Sequence, residues 1–409
     1  MAELKPENIR TAWQLPFEGE WPMAVTFLGS HRRLAAANQE GVVLVWDLPE
    51  TPVAIKVKDD QGKEVDGFET PPPARRLDGH TNGVTRLVAT PDGNTLVSAS
   101  LDHTLRLWDL AAAPTGTGEI VIDRERRERR AKRVAAEKRP EILDAPGVTV
   151  ATQPPAAVLA GHRDWVNALG ISRDGRRIIS GDDSGLVIVW DVATRQEVSR
   201  WTCPGVAWVV AAALSPDGQT ALISQYRRKG GDFNNYPAGL RLYNVADGKI
   251  TLDILATLYP KEKNPPYQYQ YEYSKFIAHG LVAVAFSPDG KSMAAGQGGE
   301  DGDGKIHLIE TVTGKVLRTV GGHKYGVTDI AFSNDGLYLF STGRDTLVRV
   351  TRVEDGKEVV PIGKTRGGQF TDWLSAFTLT PDERWLAAAD IAGLVQVWEL
   401  ANSAEPQLK

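Results

Sequence analysis

The chain has a single cysteine, Cys203, in 409 residues, so no disulfide can form within it. No apolar run approaches the ~20 residues a helix needs to cross a bilayer, and the opening MAELKPENIR lacks the apolar core of a secretion signal. An excess of one charge is also missing. Lys and Arg total 47 against 52 Asp and Glu, and the resulting net charge of −5 favours neither nucleic acid nor an anionic membrane. No phosphate loop, nucleophile with its base, or acid–base pair stands out. These absences lead us to expect a noncatalytic, cytoplasmic protein that uses no cofactor and no metal.

What the sequence does have is a repeat. LDGHTNGVTRLVATPDGNTLVSASLDHTLRLWDL at 77–110 and LAGHRDWVNALGISRDGRRIISGDDSGLVIVWDV at 159–192 both run from Gly-His to Trp-Asp. Between those marks, short Val, Ile and Leu runs alternate with Gly, Asp, Asn and Pro clusters, the pattern of many short antiparallel strands. A unit of this size cannot bury its apolar faces alone, so copies must stack. Further copies are marked by a turn. It occurs as Pro91-Asp92-Gly93, Arg173-Asp174-Gly175, Pro216-Asp217-Gly218, Pro288-Asp289-Gly290, Asn334-Asp335-Gly336 and Pro381-Asp382-Glu383. A seventh copy, at the N-terminus, keeps only the ending Val45-Trp46-Asp47.

These segments resemble WD40 repeats. The resemblance implies an all-β, seven-bladed WD40 β-propeller spanning 1–409, with blades near 21–48, 77–110, 159–192, 201–245, 277–310, 321–353 and 370–400. In such repeats the outermost strand precedes Gly-His, and the last blade has no such strand left to follow it. Residues 11–17, TAWQLPF, stand in the corresponding place before Trp21, so this N-terminal strand is expected to pair with the last blade and close the ring. Pro16 is acceptable there because the strand is an edge.

The resemblance also assigns His80, Ser98, Asp102 and Trp108 to the structural hydrogen-bond chain of the family. A buried Trp N–H and a buried His each need a partner, and a hydroxyl and a carboxylate can satisfy them in series. A catalytic reading of the same Ser, His and Asp is set aside, because the bracing roles use all three. The third blade offers His162, Ser180 and Trp190, with Ser184 where the Asp is expected and Asp183 beside it. The sixth has His323, Ser341 and Asp345 with Thr351 at the Trp position, and Tyr243 and Ile309 hold that position in the fourth and fifth blades.

Insertions mark what the chain adds to this scaffold. On the face opposite the Gly-His turns, 49–73 reads as an irregular flap, and 111–155 is a charged insertion holding a basic run at 124–139. Glu125 with Arg129 and Glu128 with Lys132 have helix-supporting spacing, and Pro140 is a stop. Such a helix suits an acidic partner or nucleic acid phosphates, or it is a solvated helix serving solubility. No aromatic residue is interleaved with the arginines, which argues against stacking on single-stranded nucleic acid.

On the Gly-His face, three neighbouring loops are enlarged. One carries Tyr226, Arg227, Arg228, Phe233 and Tyr236; the Tyr-rich insertion 257–276 carries Tyr267, Tyr269 and Tyr271; the third is the Gly and Asp stretch 298–304. That last stretch lacks the ligand series of a calcium loop. Tyr and Arg suit a contact surface, though the same loops can simply pack on one another.

Aligning the copies adds one feature. Six residues before the apolar position that precedes each turn stand Trp21, Trp165, Trp208 and Trp373, with Gly83, Gly280 and Gly326 in the remaining copies. Either each Trp caps its own blade, or the four form an aromatic rim at the channel mouth.

The leading reading is therefore a noncatalytic scaffold, monomeric by itself, that binds a protein or peptide on the Gly-His face through these Trp residues and loops. The alternatives are binding of nucleic acid or an acidic partner through 124–139, and an enzyme with its site in the channel. The last would need inward acids or bases, for which Asp164, Asp372 and His279 are the nearest candidates, and a channel lined by Val, Ala and Leu would count against it.

Overall fold

A computed structural model describes residues 4–5, 8–17, 21–30, 32–58, 64–120, 128, 136, 140, 143–144, 147–205, 208–226, 238–259, 275–277, 280–299, 303–363 and 373–400. They form seven radial sheets, each built on four antiparallel strands and numbered as a blade in chain order, and the ring closes between the chain ends. Ile9–Pro16 pairs antiparallel with Leu394–Leu400, from Ile9 opposite Leu400 to Pro16 opposite Leu394, with one register shift between Thr11 and Trp13. Blade 7 thus takes its outer strand from the N-terminus and its other three from the C-terminal end.

The apolar interior is divided among the contacts between blades. Among the described residues there are seven buried clusters, each shared by two neighbouring sheets. Trp46 and Phe27 of blade 1 pack with Trp13, Trp385 and Val397 of blade 7, and Trp108 and Leu87 of blade 2 pack with Ala35, Val43 and Leu77 of blade 1. The Val, Ile and Leu runs of the sequence are continuous because blade strands are covered on both sheet faces, as in any doubly covered sheet.

Each innermost strand begins with a bulge. The register slips at Pro22/Ala24, Val84/Arg86, Val166/Ala168, Val209/Ala211, Leu281/Ala283, Val327/Asp329 and Leu374/Ala376. A bulge leaves one residue outside the ladder, and three of these residues bind the next blade. Thr85 Oγ1 donates to the Val166 carbonyl at 2.6 Å, Thr328 Oγ1 to the Leu374 carbonyl at 2.7 Å, and Ser375 Oγ to the Pro22 carbonyl at 2.6 Å.

Two insertions differ from their sequence reading. The 49–73 segment, expected to be irregular, holds a two-stranded ribbon of Ala54–Lys58 and Glu64–Phe68. The flanks of 111–155 are also strands. Gly116–Ile120 pairs antiparallel with Val148–Gln153, which lies parallel to Arg75–Leu77 and extends blade 1 to six strands. Ile120 and Val150 are buried in the cluster between blades 7 and 1, and this burial is what holds the flanks in place. The basic run 124–139 lies outside the described residues except for 128 and 136. In blade 4 the outer strand is followed by a short helix, Ile254–Leu258, which Asp253 caps by accepting from the Ala256 N–H.

Candidate functional site

The bracing chain of blade 2 is continuous. Trp108 Nε1–H donates to Ser98 Oγ at 2.9 Å, Ser98 lies 2.7 Å from His80 Nε2, and His80 Nδ1 lies 2.7 Å from Asp102 Oδ2. With the ring proton on Nδ1, His80 donates to Asp102 and accepts from Ser98. Burial lowers the His80 pKa against the pull of Asp102. Burial acts to raise the Asp102 pKa, but hydrogen bonds from His80 and Thr104 hold it well below the usual carboxylate range. The His80 side chain is 0% exposed, so no substrate reaches this Ser–His–Asp set.

Blade 3 corrects the sequence reading. The carboxylate on His162 is neither Ser184 nor Asp183 but Asp182, whose Oδ2 lies 2.9 Å from Nδ1. Ser180 bridges His162 at 2.7 Å and Trp190 at 2.9 Å as expected, while Ser184 donates to Asp182 Oδ1 at 2.6 Å. Relative to blade 2, the acid and the hydroxyl have changed places along the chain, and from the other position the acid still holds the His ring and the N–H of the residue after it. Blade 6 keeps His323 between Asp345 at 2.7 Å and Ser341 at 2.9 Å, without the Trp.

Sequence reasoning missed the residue that ends the second strand of blades 1, 2, 3, 5 and 7. Its side chain accepts from the turn that follows. Asn38 Oδ1 takes the N–H groups of Glu40 and Val42, Ser100 Oγ that of Asp102, Asp182 Oδ1 those of Ser184 and Leu186, Gln297 Oε1 that of Lys305, and Asp390 Oδ1 that of Ala392. The available signal was an Asn, Ser, Asp or Gln closing the apolar run in these five blades.

Where the His chain is absent, Gln takes part in other braces. In blade 4, Arg241 binds Gln225 Oε1 at 2.9 Å and Asp253 at 2.7 Å. In blade 5, Gln297 Nε2 donates to the carbonyls of Lys275 and Phe276, each at 2.7 Å, and Phe276 stacks on His307 at 4.0 Å. Burial lowers the His307 pKa to about 4. These contacts anchor the C-terminal base of the Tyr-rich insertion.

The four Trp residues differ in environment. Trp21 is 47% and Trp165 48% exposed, Trp208 is half-buried, and Trp373 is half-buried with the Arg344 guanidinium 4.2 Å above its ring. Trp21 has φ +47°, in the left-handed region where blades 5 and 6 place Gly280 (φ +84°) and Gly326 (φ +102°). Of the loop residues, Tyr226 ends the second strand of blade 4, opposite Trp208. Arg227, Arg228, Phe233, Tyr236, Tyr267, Tyr269 and Tyr271 lie outside the described residues.

A cavity of about 290 Å³ opens among the starts of the inner strands on this face. Its lining includes Met23, Val282, Val327, Tyr226 and Trp373, but also Arg86, Arg344, Thr328 and Ser375. The mouth is thus more polar than the Val, Ala and Leu expected. Of the channel candidates, Asp164 caps the Trp165 N–H at 2.8 Å, and Asp372 and His279 lie outside the described residues. Among the described residues no group of three or more His, Cys, Asp or Glu could hold a metal ion. No described helix is long and apolar enough to cross a membrane.

The WD40 family, described as WD domain, G-beta repeat, matches residues 72–109, 153–191, 270–310 and 314–351, within a ring of seven blades. The chain is a WD40-repeat protein. It is 22% identical over 332 residues to Autophagy-related protein 16 of Arabidopsis thaliana, covering 80% of this chain and 50% of that one. It is 23% identical over 348 residues to WD repeat-containing protein 1 of Gallus gallus, covering 79% and 54%. Actin-interacting protein 1 of Drosophila melanogaster is 23% identical over 348 residues, covering 80% and 54%. This WD40 chain therefore spans about half the length of these curated relatives.

Proposed function

We propose that this WD40 propeller is a noncatalytic, cytoplasmic scaffold, monomeric by itself, that binds a protein or peptide across its Gly-His face. The WD40 relatives point to protein-interaction scaffolds as a class, and one is named for its interaction with a protein. The observation that carries the choice of face is Trp21, a large aromatic side chain about half exposed on a left-handed backbone. Such a conformation costs on the order of 1 kcal/mol or more for a residue other than Gly, and burial of the ring does not offset it here. Trp165 presents a second ring in the same place on blade 3, and exposed aromatic surface of this kind marks contact sites.

The test is capture from the native host by wild type and by a Trp21→Ala/Trp165→Ala/Trp373→Ala variant with unchanged circular dichroism. Partners retained by wild type and lost by the variant support the reading. Identical captured sets overturn it and move attention to the opposite face and its insertions.

A further inference from the structure

We infer that Asn82, in the Gly-His turn of blade 2, is a self-modification site, where the Gly83 backbone nitrogen attacks the side-chain amide and isoaspartate forms in place of asparagine. Asn82-Gly83 is the one Asn-Gly pair in the 409-residue sequence, and a glycine has no Cβ to stand in the path of the attack. Asn82 is exposed, so water and hydroxide reach the amide.

The fold brings the reacting atoms together. The Gly83 N–H donates to Asn82 Oδ1 at 2.8 Å. With a C=O bond of about 1.23 Å, that contact holds the amide carbon within about 4 Å of the nitrogen, close to the about 3–3.5 Å of a near-attack conformer. Blade 3 repeats the arrangement at the corresponding place, where the Trp165 N–H donates to Asp164 Oδ1 at 2.8 Å. There a bulky side chain follows, and a carboxylate, the poorer electrophile, replaces the amide.

The reaction needs only water. Hydroxide takes the Gly83 proton, the nitrogen bonds to Asn82 Cγ, and the Cγ–Nδ2 bond breaks. Nδ2 leaves as ammonia with a proton from water, which restores the hydroxide. Water then opens the cyclic imide. Opening at Cγ leaves aspartate, and opening at the original main-chain carbonyl leaves isoaspartate, whose chain runs through Cβ and Cγ.

The seam around this turn has no room for the added main-chain carbon. A Cβ on Gly83 would stand 2.6 Å from the Gln39 carbonyl oxygen of blade 1, and one on Gly41 would stand 2.7 Å from the Asn82 carbonyl oxygen. That Asn82 carbonyl accepts from Ser100 Oγ at 3.1 Å, Ser100 Oγ accepts from the Asp102 N–H at 3.0 Å, and Asp102 holds His80. Isoaspartate takes this carbonyl out of the main chain as a carboxylate. Conversion thus loosens the seam between blades 1 and 2 and the brace of blade 2, and acts as a clock on their stability.

The experiment ages the full chain in mildly acidic and mildly alkaline buffer and maps its peptides by mass spectrometry. Digestion with a protease that cuts at aspartate and passes isoaspartate separates the products. We expect amide loss at Asn82 to outpace that at Asn94 and Asn167 by about tenfold or more, as the missing Cβ of Gly83 implies, to quicken in alkali, and to yield isoaspartate with aspartate. Aged wild type should melt below fresh protein. Fresh Asn82→Asp, which adds the charge without the extra carbon, should melt with fresh wild type, and Asn82→Ser should be unchanged by ageing. Amide loss at Asn82 no faster than at Asn94 and Asn167, loss only in the urea-unfolded chain, or aspartate as the sole product would overturn the inference. Equal melting of fresh and fully converted wild type would overturn the link to the brace.

Discussion

Trp13 of the N-terminal strand stacks on Trp385 of the last blade, with ring centroids 5.1 Å apart and planes at 27°. Both rings are buried, so the closure of the ring rests on packing as well as on the strand ladder. Glu399, its side chain 8% exposed, adds a charge pair on either side, to Arg10 from the N-terminus and to Arg384 of its own blade. Trp13→Ala is expected to cost about 3–5 kcal/mol, as for other buried aromatics. Chemical denaturation followed by circular dichroism should show one cooperative transition moved to lower denaturant. Loss of the N-terminal segment alone, with the ring unaffected, would contradict this role in closure.

The exchange in blade 3 predicts unequal effects at neighbouring positions. Asp182→Ala removes the partner of His162 and the acceptor for several turn N–H groups, and should cost about 2–4 kcal/mol. Ser184→Ala removes one donor to Asp182 and should cost about 1 kcal/mol or less. Equal losses in urea titrations would argue against Asp182 as the bracing acid.

The same carboxylate makes stability depend on acid. Burial acts to raise the Asp182 pKa, but the hydrogen bonds from His162 and Ser184 outweigh it and lower it to about 2. A depressed pKa contributes stability that is present above the unfolded value of about 4 and lost as pH falls toward 2. The fall in melting temperature between pH 4 and pH 2 should be shallower in Asp182→Asn than in wild type.

Asp183 has the opposite sign. Burial raises its pKa to about 6, Asp164 and Asp182 add to the rise, and the bond from Asn167 only partly offsets it. The folded state then holds a proton that the unfolded chain releases, so this group removes stability as pH rises from about 4 to 6. After allowance for solvent screening, Asp183→Asn should stabilise by about 1 kcal/mol at pH 7 and have no effect at pH 3. Destabilisation at pH 7 would show that the Asn167 bond outweighs the buried charge.

Trp46 offers a test of the bracing logic by addition. It occupies the place that Trp108 has in blade 2, is 0% exposed, and its Nε1–H has no hydrogen-bond partner among the described residues. Ala36 stands where blade 2 has Ser98. Ala36→Ser should supply the missing acceptor and stabilise by about 1 kcal/mol, read as a higher midpoint in guanidinium unfolding. A lower midpoint would mean that the hydroxyl finds no partner.

The exposed Trp21 should tolerate a change that its buried counterparts cannot. Trp21→Gly relieves a left-handed backbone (φ +47°), so the melting temperature should hold or rise by the equivalent of up to about 1 kcal/mol, while partner binding is lost. A clear drop in melting temperature would return Trp21 to the structural class.

Sequence alone carried the repeat, the number of blades and the closing strand, because turn chemistry and strand pattern are local and recur. Asp92 and Gly93 announce their hairpin wherever the chain goes, and the same turn marks five other blades. Even the replacement of Gly by Glu383 left the rest of the turn signature readable, with Glu383 accepting the left-handed conformation at φ +57°. The bracing set His80, Ser98, Asp102 and Trp108 was legible for a similar reason, since its spacing follows from strand length.

Only the tertiary structure decided which acid serves His162, because Asp182, Asp183 and Ser184 are adjacent in sequence and differ only in where each side chain points. Tertiary contacts likewise made strands of the flanks of 111–155, where Ile120 and Val150 find burial that no local pattern specifies. The division of the four Trp residues into exposed and half-buried rings, and the meeting of Arg86 with Arg344 across 258 positions, depend on how blades face one another around the axis. Periodicity reports what each strand prefers, but the surroundings of a side chain at the channel mouth are set by strands remote in the sequence.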